Sequence, residues 1–340
     1  MQHRNRNRVA TAVVATVMTA LFGCAGLTID DIDAWQPVNL PLAELAPTEA
    51  QLARSQQKIR VVSSGFTLSQ PSALAQQSQV VATLSARLEQ HLTGAGVQLI
   101  DRHQAQKLLS ELALAEATGR SGSYQGPEVA DFAVMGRIDS IETGSQFAKS
   151  YERKTKQGSE RVPAKCTYQA TVKATLQIFS IPELQMVERI ALSGSETMEE
   201  ESQHCSSANG KYSALVARAG EESLDSGRVE LQNRFAASSY VVDMRSDGEE
   251  YLIKIMIGRQ RHISKGDKIE IIRLRQEGNR LTQKVTLVER GIGSATVTDQ
   301  IGADYSWALV DKAEEARRIQ LGDYVKVRFD RSFMESLLSW

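Results

Sequence analysis

The sequence predicts an α/β domain followed by a small β-rich domain, and three observations support this prediction. Between residues 58 and 142, strand-like and helix-like apolar patterns alternate in the order β-α-β-α-β, which is typical of α/β proteins. Residues 165–196 resemble one long antiparallel hairpin. From residue 238 onward, short β-branched segments alternate with turn residues, which indicates a small barrel or sandwich.

The first half of the chain contains three predicted strands and two predicted helices. Its first helix has apolar residues at spacings of three and four and ends at Gly94 and Gly96, because glycine commonly terminates a helix. The second helix carries four leucines between Leu108 and Leu114. The predicted strands are KIRVVSSGF (58–66), VQLI (97–100) and ADFAVMGRIDSIE (130–142).

A long hairpin and another helix follow. The alternating segment KCTYQATVKATLQIFSI (165–181) is joined by Pro182 and Glu183 to MVERIALSGSE (186–196), and residues 211–235 return to a helical pattern. The segment at 149–165 carries eight charges in seventeen residues, and residues 197–212 are equally polar. Both segments are predicted to be solvated loops.

The β-rich part contains a short internal sequence repeat. ISKGDKIEI (263–271) and IQLGDYVKV (319–327) share a Gly-Asp pair followed by alternating apolar residues. Glycine tolerates a positive φ and aspartate bonds to nearby backbone, so Gly266-Asp267 and Gly322-Asp323 are predicted tight turns. They are either two similar turns that each precede a strand, or one barrel corner that is repeated. The predicted strands are YVVDMR, YLIKIMI, DKIEIIRL, KVTLVER, GSATVTDQ and YVKVRF.

Composition excludes some partners. The 340 residues carry 40 Lys and Arg against 41 Asp and Glu, and removing a leader with three arginines leaves 37 against 41. This balance gives no electrostatic reason to expect a nucleic-acid partner.

The N-terminus has the pattern of a secretory leader. Residues 1–8 carry three arginines and no acid, and residues 9–22 carry no charge. Fourteen residues in a helix reach about 21 Å, short of a bilayer core of about 30 Å, so a permanent spanning helix is disfavoured. Leu21-Phe22-Gly23-Cys24 resembles a bacterial lipobox, which implies cleavage and acylation at Cys24. Ala25 then implies sorting to the outer membrane. Prolines at 37, 41 and 47 interrupt residues 25–55, which we interpret as a tether.

Cys166 and Cys205 are the other two cysteines. In an oxidising compartment they are predicted to form one disulfide. The alternatives are two free thiols or a metal site that includes His204. Adjacent ligands at 204 and 205 and the lack of CxxC spacing argue against metal.

The chain lacks recognisable catalytic motifs. It contains no Gly-x-Ser-x-Gly, phosphate loop or His-Glu-x-x-His, and Gly291-Ile292-Gly293 lacks the third glycine of a dinucleotide fingerprint. The acidic triplet at 199–201 is interpreted as a helix start or exposed loop. We therefore expect no catalysis, cofactor, bound metal or small-molecule substrate.

Residues 58–235 resemble the CsgG and TolB-N-terminal-like domains. The likeness lies in IRVVSSGF, GVQLIDRHQAQKLLSE, ADFAVMGRIDSIE and YQATVKATLQIFSIPELQMV. Residues 240–329 resemble the C-terminal domain of the flagellar assembly protein FlgT, through the Gly-Asp turns, ERGIGSATVTDQIG and IQLGDYVKVRF. The resemblance implies a three-layer domain with a mixed sheet and a long hairpin, then a barrel-like all-β domain.

The resemblance also implies a function. It favours a lipid-anchored protein on the periplasmic face of the outer membrane, where it would form homo-oligomers and assemble with envelope or appendage proteins, such as those of flagella or curli. The alternatives are an export pore for curli-type subunits, against which the ionic segments argue, and an activator of a wall synthase. The predicted boundaries are 1–23 (signal), 24–55 (acylated cysteine and tether), 56–236 (α/β), 238–330 (β-rich) and 331–340 (tail).

Overall fold

The computed structural model describes residues 27–69, 77–103, 105–118, 130–156, 158–205, 209–278, 281 and 284–331. Its strands form a mixed five-stranded sheet, a seven-stranded sheet and a separate two-stranded ribbon. The five-stranded sheet belongs to the first domain and the seven-stranded sheet to the second. The fold is therefore mixed α/β, as the sequence predicts.

The first domain is built on the sheet order β3-β2-β4-β7-β8. Strand β2 pairs in parallel with β3 and with β4, whereas β4, β7 and β8 pair antiparallel. The three antiparallel strands are much longer than an average strand of about six residues. The bounds are β2 (Arg60–Leu68), β3 (Gln98–Ile100), β4 (Phe132–Ala148), β7 (Lys165–Ser180) and β8 (Gln185–Glu201).

Helices cover the two faces of this sheet unequally. Residues of α2 and α4, together with Leu231 and Phe235, form one large core with alternate residues of β7. Residues of α3 form a smaller core on Val62, Ala133 and Phe179 of the opposite face. Among the described residues, no helix covers the distal half of that second face. The bounds are α2 (Gln77–Gly94), α3 (Gln106–Thr118), α4 (Asn209–Ser226) and α5 (Arg228–Arg234).

The ionic segment before the long hairpin is not the loop that the sequence predicts. It forms a short antiparallel ribbon of β5 (Tyr151–Thr155) and β6 (Gly158–Val162). The described side chains of this ribbon are exposed except for Val162, which is half-buried. Residues 197–201 likewise continue β8, so the strand extends five residues beyond its predicted end.

The second domain contains a closed six-stranded barrel. The order runs β9-β10-β13-β12-β11-β14, and β14 pairs back to β9. Its interior is lined by β-branched and small residues such as Ile253, Ile271, Val297 and Val325. The bounds are β9 (Ser238–Ser246), β10 (Tyr251–Ile255), β11 (Lys268–Gly278), β12 (Val285–Ile301), β13 (Ser306–Val310), α6 (Ala313–Ala316) and β14 (Tyr324–Arg328).

The barrel is an internal repeat of two strands, a helical turn, a Gly-Asp turn and a third strand. Strands β9, β10 and β11 correspond to β12, β13 and β14, and the pairings map onto one another when the halves are exchanged. The helical turn at Arg259–Arg261 in the first half corresponds to α6 in the second. The sequence repeat at the two Gly-Asp pairs therefore corresponds to a repeated corner of the barrel.

One prediction for the barrel strands is wrong, and one strand was missed. KVTLVER and GSATVTDQ are one continuous strand, β12, with a register shift opposite Ile271 and Ile272. Gly293 is needed there because Glu315 lies where a Cβ would be, 2.5 Å from its Oε2. The strand β13 was not predicted, because SWALV carries neither a β-branched run nor a clear alternation.

The segment predicted to be a tether is packed on the barrel over its described part. Strand β1 (Gln36–Pro37) pairs with β9, and a single bridge joins Leu42 to Leu321. The helix α1 (Glu49–Ser55) follows and is capped by Thr48, which forms a capping box with Gln51. Residues 27–55 thus belong structurally to the second domain. No helix among the described residues is long and apolar enough to cross a membrane.

Candidate interaction surfaces and anchoring segment

The predicted lipidation site, Cys24, lies outside the described residues. The chain is described from residue 27 onward, and there it packs on the barrel. Ile29 is buried, its N–H donates to Asp299 Oδ1 at 3.0 Å, and Gln300 Nε2 donates to its carbonyl at 2.7 Å. Ile29 packs with Trp307 and Leu252 on the barrel. The chain therefore contacts the barrel at a residue only five positions after Cys24.

Arg245 fixes the next part of the segment. Its Nη1 donates to the Ile32 carbonyl at 2.8 Å and to Asp33 Oδ1 at 2.9 Å, and its guanidinium lies 5.4 Å from the Trp307 ring. One arginine thus holds the N-terminal segment and an aromatic side chain together. These contacts attach residues 29–33 to the barrel.

The distal end of the long hairpin is closed by the predicted disulfide. Cys166 at the start of β7 is joined to Cys205, which follows β8, with a Cα–Cα separation of 5.4 Å. Cys166 is fully buried, and Tyr168 beside it packs edge-to-face on Tyr212 of α4 at 5.8 Å. The disulfide connects the ends of the strands to the start of α4.

The acidic triplet at 199–201 lies on β8, not at a helix start or in a loop. Its side chains alternate between the two faces of the sheet, so Glu199 pairs with Lys165 at 2.7 Å while Glu200 contacts Lys211 of α4. The hydrogen bond from Lys165 lowers the pKa of Glu199. The three carboxylates therefore do not converge on one site.

The open face of the distal sheet is polar. The odd-numbered residues of β7 lie on it, among them Gln169, Thr171 and Lys173, and Thr171 is hydrogen-bonded to Ser195 at 2.8 Å. Antiparallel sheets commonly leave one such face to solvent. The face has no large apolar patch, but it presents hydroxyl, amide and charged groups in register.

Strand β8 is one of the two edge strands of this sheet, and α4 blocks its middle. The N–H of Ser195 donates to Glu222 Oε2 at 2.8 Å, and the N–H of Ser193 lies 3.4 Å from Ser226 Oγ. A Cβ on Gly194 would overlap the backbone of α4 at Ala219 and Ser223. Unpaired edges invite association, so any strand pairing through β8 is confined to its two ends.

The two predicted Gly-Asp turns have the same hydrogen bonds. Gly266 and Gly322 have φ values of +94° and +88°, and each N–H donates to a valine carbonyl, at Val297 and Val241 respectively. Asp267 Oδ2 accepts from the Ser264 N–H at 2.8 Å, and Asp323 Oδ2 accepts from the Gln320 N–H at 2.7 Å. These residues are structural corners of the barrel.

The four histidines beyond residue 26 are dispersed. His91 is buried and lies 2.8 Å from Asp225, and desolvation lowers its pKa against the opposing effect of that hydrogen bond. His103, His204 and His262 are exposed. Within the described ranges no group of three or more His, Cys, Asp or Glu side chains could hold a metal ion.

A cleft of about 900 Å³ lies beside the middle of β2 and the end of β3. The helices that follow these strands pack on opposite faces of the sheet, which is the arrangement of a topological switch point. Two of its lining charges are paired with each other, since Arg102 Nη2 lies 2.6 Å from Glu89 Oε1. The sequence patterns predicted both strands but did not indicate this cleft.

Comparisons with known proteins identify weakly similar structures but no family for the chain. No family model and no curated protein matches it. It is similar to solved structures of a hypothetical protein from Chlamydia trachomatis, a minor lipoprotein from Acinetobacter baumannii and a lipoprotein from Neisseria meningitidis. The identities are 11%, 13% and 12%, and the TM-scores are 0.32, 0.26 and 0.21. The matches cover 53%, 51% and 47% of this chain and 98%, 91% and 96% of theirs. At these TM-scores the likenesses support no functional conclusion.

Proposed function

We propose that this protein is a non-enzymatic lipoprotein of the bacterial outer membrane, anchored on the periplasmic side, that acts as an assembly component of an envelope complex. The proposal combines the lipobox-like sequence at Cys24 with the packing of the chain that follows it. Its partners are envelope or appendage proteins and further copies of itself.

The observation that carries the proposal is the burial of Ile29 on the barrel. Five extended residues reach at most about 18 Å. An acylated Cys24 therefore holds the barrel within that distance of the lipid headgroups. Several acyl chains on one cysteine provide strong anchoring, at about 0.8 kcal/mol for each buried methylene.

The α/β domain then supplies the surface that partners contact. Strands of 17 residues extend roughly 58 Å, so the hairpin projects its polar distal face away from the shorter strands β2 and β3. The disulfide and the Tyr168–Tyr212 contact hold that end rigid. A rigid, polar surface on a short anchor suits an assembly role.

An export pore remains the alternative function that the resemblance to CsgG raises. Its wall would require strands with a lipid-facing apolar side. The β5–β6 ribbon instead carries an ion pair between Arg153 and Glu160 at 3.0 Å, and the distal hairpin carries one between Lys165 and Glu199. These charges favour the assembly role over the pore. Activation of a wall synthase is compatible with the same anchored architecture.

The test compares the wild-type protein with Cys24→Ala and with Ala25→Ser, which keeps the cysteine. We expect the wild type and Ala25→Ser to fractionate with membranes, with an acylated Cys24 found by mass spectrometry of the mature N-terminus. Cys24→Ala should remain in the soluble fraction without detergent. Membrane retention of Cys24→Ala, or steady conductance of the wild type in planar bilayers, would contradict the proposal.

A further inference from the structure

The two domains meet along a seam that contains a cleft of about 1010 Å³. On one side lie the residues that connect α1 to β2 and the starting ends of β3 and β4. On the other side lies Gln260, in the helical turn after β10. Ligand sites occur preferentially at domain interfaces, and this volume is comparable to that of sites for drug-sized ligands.

Basic side chains dominate the charge of this cleft. Arg54, Lys58 and Arg60 line it, together with the acid Asp131. Arg60 neutralises Asp131, since its Nη2 lies 2.7 Å from Oδ1. No carboxylate of the described residues lies within ion-pair distance of Arg54 or Lys58. Lys58 Nζ is 3.3 Å from His262 Nε2, a contact that brings no negative charge.

A buried arginine adds to this excess. Arg261 is 8% exposed, and its Nη1 donates to the carbonyl of Ser55, between two residues that line the cleft. Its Nε has no hydrogen-bond partner in the described part of the chain. Desolvation lowers the pKa of this guanidinium. A buried cation without a counter-charge is costly, so an anion in the seam would stabilise the arrangement.

Amide side chains supply the second type of contact. The glutamines at 56, 57, 98 and 260 line the same cleft, and their side chains form no hydrogen bonds within the described ranges. Each amide offers two donors and an acceptor. Such groups match the hydroxyls of a sugar, which both donate and accept.

We propose that the seam between the two domains binds an anionic saccharide, a sugar that carries phosphate or carboxylate groups. Arg54 and Lys58 bind the anionic group, and the four glutamines bind the ring hydroxyls. The site does not depend on the lipid anchor, so it extends the proposed function and can fail independently of it.

Calorimetry on the full chain in neutral detergent tests this proposal. The probes are glucose 6-phosphate and glucuronic acid, with glucose, inorganic phosphate and glycerol 1-phosphate for comparison. We expect the two anionic sugars to bind more tightly than glucose and than inorganic phosphate, by roughly tenfold to hundredfold, because hydrogen bonds to charged groups are strong. Equal affinity for glycerol 1-phosphate would instead indicate a lipid headgroup and would overturn the saccharide assignment.

Two variants and a matched control locate the site. Arg54→Gln with Lys58→Gln should lose binding of both anionic sugars. Lys149→Gln with Arg317→Gln changes the net charge equally at exposed positions outside the cleft lining and should bind like the wild type. Gln98→Ala with Gln260→Ala should weaken glucose 6-phosphate but not inorganic phosphate. Absence of binding to the wild type, or equal binding by the first variant and the control, would refute the proposal.

Discussion

Asp267 and Asp323 occupy the same position in two copies of one turn, but their charges are compensated differently. Asp323 is fully buried and pairs with Arg273, whose Nη2 lies 2.8 Å from Oδ2. The residue that corresponds to Arg273 in the other half is Phe329, which packs on the barrel core. Burial raises the pKa of Asp267, the carboxylate that lacks an arginine in the described structure.

This difference predicts opposite sensitivities to the same substitution. Asp323→Asn leaves Arg273 buried without its counter-charge and should lower the free energy of unfolding by about 3–5 kcal/mol. Asp267→Asn keeps an acceptor for the Ser264 N–H and removes a desolvated charge, so its stability at pH 7 should equal or exceed that of the wild type. Urea unfolding at pH 7 measures both variants, and equal destabilisation would contradict the assignment.

The sequence predicted those elements whose signals are local. Each strand and helix of the β-α-β-α-β order, the long hairpin and each Gly-Asp turn appear as patterns within contiguous stretches of the sequence, such as 58–66, 165–196 and 263–271. The packing of residues 27–55 escaped prediction because its contacts join residues far apart in the sequence, such as Ile29 with Asp299 and Leu42 with Leu321. The seam escaped it for the same reason, since Lys58 and His262 are 204 residues apart.

The close approach of α4 to β8 depends on Gly194. A methyl group there would overlap the backbone of Ala219 and Ser223, which cannot move without displacing the helix. Gly194→Ala should therefore lower the free energy of unfolding by about 3 kcal/mol. Gly144→Ala, on β4 with open space around it, should stay within about 0.5 kcal/mol of the wild type. Similar losses in both variants would show that the contact is not tight.

His91 should make stability depend on pH. Burial favours its neutral form in the folded state, and Arg87 and Arg228 act in the same direction, so its pKa falls below the ordinary value of 6.5 although the hydrogen bond to Asp225 opposes the shift. The unfolded chain then binds more protons below pH 6.5, so stability should decrease as the pH falls through that value, by at most about 1.4 kcal/mol per pH unit. His91→Gln should remove this component of the slope between pH 7 and 5.

The control for His91 is His204→Gln, which removes an exposed histidine. Its pH dependence should match that of the wild type, measured by chemical unfolding at several pH values. An unchanged slope in His91→Gln would contradict the assignment.

The disulfide should contribute substantially to stability. It closes a segment with a sequence separation of 39, for which loop-closure entropy corresponds to about 4 kcal/mol. Cys166→Ala with Cys205→Ala should lower the free energy of unfolding by that order, with retained far-ultraviolet circular dichroism. Peptide mass analysis without reductant should find the wild-type pair linked. Two alkylatable thiols in the wild type would contradict this.

Removing the side chains that cover the middle of β8 should expose a free strand edge. Glu222→Ala with Ser226→Ala leaves the N–H groups of Ser193 and Ser195 without their acceptors on α4. Uncovered edges pair with other chains, so light scattering coupled to size exclusion should show higher-order association in detergent. Glu221→Ala, next to Glu222 and also exposed, should keep the wild-type mass. If the double variant and this control have the same mass at every concentration, then Glu222 and Ser226 do not protect the edge, and the close packing of α4 on Gly194 alone must do so.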